Sequence, residues 1–343
     1  MTSASDLGAI TLSVLQGQTG QHVKELEKLN EGLSRVWAKQ GSGSRGKGVV
    51  CLSNALLVGL ARPIKNRLGV PVVCTLQGED AFLDGLGQPY RDQCWQTLTA
   101  RAADVDAFVA ISRYYGDVMV RRLGLPAERV HVVHNGIELD GLAPPDEPPD
   151  PLTLGYFARL CQPKGLGTLV DAFLILKQRN QHQQLQLSIA GATTGNDQQY
   201  VKALVDKLKS GGVWSDVTIQ QNPNRTEKVE MLRRLTVFSV PATYGEAFGL
   251  YILEALACGV PVVQPNHGAF PELLAEIGGG ILCQPDDPGA LADAIESLLE
   301  DPARRRILAE QGLQQVRQRF NVDRMAKQVA QVYESSHLAL RDG

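Results

Sequence analysis

Between Val237 and Val263 the chain reads as a strand, a loop carrying Gly245 and Gly249, an apolar helix and a second strand. The runs Val237–Val240 and Val260–Gln264 predict the strands, and Gly249 to Cys258 the helix between them. A glycine-bearing loop that leads from a strand into a helix N-terminus is suited to an anion, because free backbone N–H groups and the helix dipole both point at a phosphate there. Two carboxylates, Glu246 and Glu254, bracket that helix start.

Their spacing narrows the chemistry. Eight residues at about 1.5 Å each span about 12 Å if mostly helical. Paired glycosidase carboxylates stand roughly 5 to 9.5 Å apart across one bond, so the two acids are expected to grip different parts of one long ligand. A nucleotide sugar has that layout of hexose, diphosphate and ribose.

Strand-like and helical runs alternate along the whole chain, which predicts α/β architecture with parallel sheets. In the first half the strands are expected at Val49–Ser53, Val70–Leu76, Ala107–Ile111 and Arg129–His134, and the helices at His22–Ala38, Leu56–Arg67, Pro89–Ala103 and Arg113–Leu123. Residues 141–151 hold five prolines in eleven positions and predict a linker, since proline lacks the N–H that a packed element needs. The second half restarts the pattern with strands at Leu152–Phe157, Leu185–Ala190, Val217–Gln220, Val237–Val240, Val260–Val263 and Ile281–Cys283. It is helical from about Pro288, with a break near Phe320-Asn321. A chain of 343 residues with this break suits two domains.

Composition removes other classes. The net charge of −3 calls for no nucleic-acid partner and no anionic membrane. No apolar run reaches the 18 or so residues of a membrane helix, and Met1-Thr-Ser-Ala-Ser-Asp6 lacks a signal-like pattern. The six cysteines are scattered, several in apolar strand-like surroundings, and read as small core residues of a reducing compartment. A cytoplasmic protein is expected, with peripheral membrane contact possible. His22, His182, His267 and His337 sit apart in the chain without metal-ligand spacing, so no metal and no cofactor are expected. The glycine-rich segment Gly41–Gly48 follows a helix rather than a strand and reads as a surface loop, not a phosphate loop.

Tyr244-Gly-Glu-Ala-Phe-Gly-Leu-Tyr-Ile-Leu-Glu-Ala-Leu-Ala-Cys-Gly-Val-Pro-Val-Val263 resembles the E-x7-E run of retaining GT-B glycosyltransferases, specifically glycosyltransferase family 4. The resemblance covers roughly Val49 to Leu338. It implies two Rossmann-like domains facing across a cleft, with a C-terminal helix crossing back. Residues 1–140 would be the acceptor domain, 152–320 the nucleotide-sugar donor domain and 321–343 the crossing helix. It further implies that Glu246 contacts the donor sugar, that Glu254 binds the ribose, and that the backbone of Phe248, Gly249 and Leu250 holds sugar hydroxyls and phosphate.

Phe157-Ala-Arg-Leu-Cys-Gln-Pro-Lys-Gly165 resembles the family's "GRL…KG" element. Arg159 and Lys164 match its two basic positions, where a rigid fork and a point charge would meet the diphosphate. In the first half, Gln77 and Asp80 follow the strand Val70–Leu76 and are cleft candidates. Gln77 stands where family members often carry His. Ile111-Ser112 and His134-Asn-Gly-Ile-Glu138 match further family landmarks, with Glu138 in place of Asp. The family's opening strand and glycine loop have no match before Val49, so the N-terminal domain reads as shortened. The expected activity is metal-independent, retaining transfer of a sugar from a nucleoside-diphosphate sugar to a hydroxyl on a sugar, lipid or small-molecule acceptor. The alternative is a donor-binding relic without a complete acceptor domain.

Overall fold

In the computed structural model, residues 4–39, 48–179 and 182–342 are described. Chain contacts divide it into two compact units, Met1–His134 with Asp323–Gly343, and Asn135–Val322.

The first unit begins with helices α1 (Ala4–Gln16) and α2 (Val23–Lys39). It continues through β1 (Val50–Leu52), α3 (Ala61–Leu68), β2 (Val72–Leu76), α4 (Glu79–Asp84), α5 (Tyr90–Ala102), β3 (Ala107–Ala110), α6 (Arg113–Leu123) and β4 (Val130–Val132). The four strands form one parallel sheet in the order β1-β2-β3-β4. The expected helix over Leu56–Arg67 is split, because Ala55–Leu60 winds as a 3-10 helix before α3 begins. Pro63 then sits in the first turn of α3, where its missing N–H costs nothing. Among the described residues, the chain before β1 holds helices and no strand. Residues 41–47 of the glycine-rich segment lie outside the described residues.

The second unit runs β5 (Thr153–Phe157), α7 (Leu166–Gln178), β6 (Gln186–Gly191), α8 (Gln198–Ser210), β7 (Val217–Gln221), α9 (Arg225–Arg233), β8 (Val237–Phe238), α10 (Leu250–Ala257), β9 (Val262–Pro265), α11 (Phe270–Ile277), β10 (Gly280–Cys283), α12 (Pro288–Leu299) and α13 (Pro302–Arg319). Its six strands are all parallel, in the order β10-β9-β8-β5-β6-β7. The order reverses between β5 and β8. Loops leaving neighbouring strands diverge at such a point and open a crevice beyond the strand C-termini. The strand expected over Val237–Val240 pairs only through Val237 and Phe238, as the chain turns into Pro241, which has no N–H for a ladder.

The unit boundaries differ from the predicted linker. Gly136-Ile137 docks on Phe320–Val322, with Ile137 N–H donating to the Phe320 carbonyl at 2.9 Å, so the second unit starts at Asn135 and takes in the proline-rich segment. The last helix, α14 (Val322–Asp342), belongs to the first unit. Met325, Val329, Val332 and Tyr333 form a stripe at helical spacing that packs on Val73, Ala107 and Val109 of the first sheet and on Val133 just after it. Burying a valine such as Val332 contributes roughly 1.5 to 3 kcal/mol. No helix among the described residues is long and apolar enough to cross a membrane. Cys74, Cys94, Cys258 and Cys283 are buried as expected, but Cys51 is exposed, because β1 lies at the edge of its sheet.

Candidate functional site

The loops that leave β5 and β8 carry the predicted residues Arg159, Lys164 and Glu246. Tyr156, wholly buried in β5, sets the first of them. Its hydroxyl lies 3.1 Å from the Arg159 carbonyl oxygen and 3.3 Å from that of Lys164, so one phenol ties both ends of the basic loop. Gly165 then adopts φ +72°, and a Cβ there would lie 1.7 Å from the Pro241 carbonyl oxygen. Only glycine tolerates both the left-handed conformation and that approach. The loop after β5 is thereby pressed against the loop after β8, and Thr243 N–H donates to Pro163 O at 2.9 Å.

This contact brings Lys164 to Glu246. The Lys164 ammonium donates to Oε2 of Glu246, and the same oxygen accepts the hydroxyls of Tyr244 at 3.1 Å and Tyr251 at 3.0 Å. The ammonium also lies 5.1 Å from the Tyr244 ring centroid and 5.6 Å from that of Tyr251, a cation–π arrangement that partly replaces its lost water. Burial works against the Lys164 charge, but the Glu246 carboxylate and the Tyr244 hydroxyl outweigh it and leave its pKa raised. Burial, reinforced by the Glu246 charge, pushes the Tyr244 phenol up to about 12. The cluster therefore sets a Lys164 ammonium among neutral phenols.

Glu246 precedes α10 rather than lying on it. The helix starts at Leu250, so only the second half of the Glu246–Glu254 interval is helical. Gly249 caps it with φ +93°. Phe248 is buried and Leu250 exposed. Glu254 does not join the first cluster. It accepts Lys228 Nζ at 2.7 Å, with both side chains largely buried at 17% and 19% exposure, and the Lys228 ammonium lies 5.5 Å from the Phe157 ring centroid. Arg159 turns to Asp197, donating Nε to Oδ2 at 3.1 Å and Nη2 to Oδ1 at 3.2 Å. Burial opposes the Asp197 charge, yet Arg159 and Thr194 hold its carboxyl below the usual range.

In the first unit, Gln77 and Asp80 flank a buried carboxylate that sequence reasoning passed over. Glu79 accepts the N–H groups of Ala55 at 2.8 Å and Gln77 at 2.9 Å, together with the Tyr115 hydroxyl at 2.8 Å. It fastens the end of β2 to its neighbours. Burial raises the Asp80 pKa against the pull of the Ala81 N–H and Arg122. His182, which stands alone in the sequence, meets Glu296 of α12 at 3.1 Å and Glu300, just past its end, at 3.9 Å. Arg179 pairs there with Asp293 and Glu296, which anchors α12 to the chain between α7 and β6.

Lys228, Asp197, Tyr244 and Tyr251 were not singled out from the sequence as site residues. The capping box Asn224…Glu227 that starts α9 was legible and would have placed Lys228 on the first turn of that helix. Its pairing with Glu254 was not legible, because it depends on the strand order.

Residues 143–315 match the family described as glycosyl transferases group 1, and residues 49–140 match glycosyltransferase family 4. The chain is also 30% identical over 308 residues to the alpha-maltose-1-phosphate synthase of Mycolicibacterium smegmatis, covering 82% of this chain and 77% of that protein. The chain belongs to the group 1 glycosyl transferases. The chain is also similar to the D-inositol 3-phosphate glycosyltransferase of Xylanimonas cellulosilytica, 32% identical over 244 residues, or 66% of this chain and 56% of that protein. The chain thus spans little more than half the length of some relatives it matches.

Among solved structures, Anabaena HepE in complex with UDP superposes with a TM-score of 0.76 at 20% identity, covering 93% of this chain and 84% of that one. The sucrose-phosphate synthase of Thermosynechococcus elongatus gives 0.75 at 22%, covering 94% and 80%. These likenesses show the GT-B fold for this group 1 chain.

Proposed function

We propose that the chain is a retaining, metal-independent glycosyltransferase that moves a sugar from a nucleoside-diphosphate sugar to a hydroxyl acceptor. The observation that carries this reading is the convergence of Lys164, Tyr244 and Tyr251 on one oxygen of Glu246, directly before the N-terminus of α10. The cluster offers a carboxylate for sugar hydroxyls beside a cation and a helix start for phosphate, at the C-terminal crevice of a parallel sheet.

In the reaction the bond from the anomeric carbon to the diphosphate oxygen breaks, and a bond from that carbon to the acceptor oxygen forms on the same face. The acceptor proton passes to the leaving phosphate oxygen. Lys164, Arg159 and the amides at the start of α10 stabilise the charge that gathers on the diphosphate. Glu246 orients the sugar and Glu254, fixed by Lys228, accepts the ribose hydroxyls. Crystals of Anabaena HepE hold UDP and UDP-glucose, which makes uridine diphosphate the first base to test here.

A second reading, a donor-binding protein with impaired transfer, draws on Gln77. It stands where the family often has a titratable imidazole, and it is exposed, with its N–H spent on Glu79. Calorimetric titration with UDP, GDP and ADP without metal, followed by assay of diphosphate release from the matching sugar nucleotides, separates the two. Binding with release supports the transferase, and binding without release supports the second reading. No binding by any diphosphate overturns both.

A further inference from the structure

We infer that Asp197 is a positioning residue that presents the Arg159 guanidinium end-on to the donor diphosphate. This role rests on the donor-site reading above.

Arg159 leaves β5 on a loop and its side chain is half exposed, at 50%. An arginine so placed would sample many rotamers, and a phosphate would have to order it on binding. Asp197 removes that freedom. Its side chain is only 8% exposed and is itself locked, since Oδ2 accepts the Thr194 N–H at 2.9 Å and the Thr194 hydroxyl at 2.7 Å. These bonds close a capping box before α8. A cap needs one carboxylate oxygen. The other, Oδ1, has Arg159 Nη2 as its partner at 3.2 Å, while Arg159 Nε reaches Oδ2 at 3.1 Å.

The grip is therefore side-on, through Nε and Nη2. Nη2 also reaches the Thr194 hydroxyl oxygen at 3.2 Å. Among the described residues Nη1 has no hydrogen-bond partner. The guanidinium thus keeps its free N–H groups at the tip, away from the carboxylate, and is held as a pre-oriented donor pair for an anion. The pairing spans 38 residues and joins the loops that leave the adjacent strands β5 and β6.

The test is a double-mutant cycle on the full chain, with UDP titrated calorimetrically into wild type, Asp197→Asn, Arg159→Met and the double variant, and with Tm recorded for each. Asn keeps an acceptor for the cap. We expect Asp197→Asn to weaken UDP binding about tenfold in the wild-type background and to have no effect once Arg159 is Met, as coupled contacting residues behave. Any Tm loss from the cap should be the same in both backgrounds. Unchanged UDP affinity in Asp197→Asn, or losses that add in the double variant, would overturn the role while leaving the donor site standing. Should wild type bind none of UDP, GDP or ADP, the donor-site reading falls and this role with it.

Discussion

Lys164 and Glu246 form one ion pair although 82 residues separate them. The pair is sheltered, with side-chain exposures of 22% and 12%, and two phenols complete the carboxylate's coordination. Each member is consequently tied to the other's charge, and removal of either has two separable consequences.

Lys164→Met should damage both stability and transfer. It leaves the Glu246 carboxylate sheltered without its cation, an error that costs about 3 to 5 kcal/mol for a buried pair. Glu246→Gln keeps the shape and the two phenol hydrogen bonds, so its unfolding free energy should fall less. Its kcat should drop by roughly two to three orders of magnitude, the scale of losing one oriented electrostatic group. Denaturant unfolding and initial rates on both variants check this. Equal stability loss in the two variants would contradict the arrangement.

Glu254 and Lys228 predict a binding effect without a rate effect. If Glu254 accepts the ribose hydroxyls, Glu254→Ala should weaken UDP and UDP-sugar alike by about tenfold or more, equivalent to about 1.4 kcal/mol. Lys228→Met should weaken both by less, since the carboxylate remains but loses its fixed rotamer. The split appears as a raised KM with kcat near wild type, the mark of binding shared by ground and transition states. A kcat loss with unchanged KM would refute the ribose assignment.

Gly165→Ala tests the loop contact that builds the site. The added Cβ would meet the Pro241 carbonyl oxygen at 1.7 Å in a left-handed conformation. Such strain costs on the order of 1 to 3 kcal/mol, and relief requires the two loops to part, which withdraws Lys164 from Glu246. Reduced stability together with weakened diphosphate binding is expected. Gly141→Ala is a matched control, since Gly141 also has positive φ but has open space around it. It should cost stability alone.

Much of the second unit could be read from its residues because its strands are short apolar runs bounded by helices with proline and capping signals. In the first unit, Arg113–Leu123 was placed to the residue, helped by Ser112, whose side chain accepts from the Tyr115 N–H. Glu246 was read from its loop and its spacing to Glu254, and Lys164 from family resemblance, but their pairing follows from strand order, in which β5 lies beside β8. The same holds for Asp197 and Lys228. Each lies on an unremarkable helix start and gains a partner only when parallel strands bring distant loops together. The boundary at Asn135 was missed because prolines mark irregular backbone, whereas the contacts of Gly136 and Ile137 with Phe320–Val322 leave no compositional trace.

The raised pKa of Lys164 fixes the direction of one pH effect. The folded chain holds this proton more tightly than the unfolded chain, whose lysine titrates near about 10.4. The corresponding stability is complete below that value and is lost as pH rises through the higher folded-state pKa. As pH rises above about 10.4, the unfolded lysine value, wild type should therefore lose more unfolding free energy than Lys164→Met, which has no lysine proton there to lose. Tyr244, pushed up to about 12 when folded against about 10 unfolded, adds its own loss of stability over the same range in both proteins, so the Lys164 effect is read from their difference. Denaturant melts of the two proteins across that range measure the difference. Parallel losses would mean that Glu246 does not stabilise the Lys164 ammonium in the folded chain.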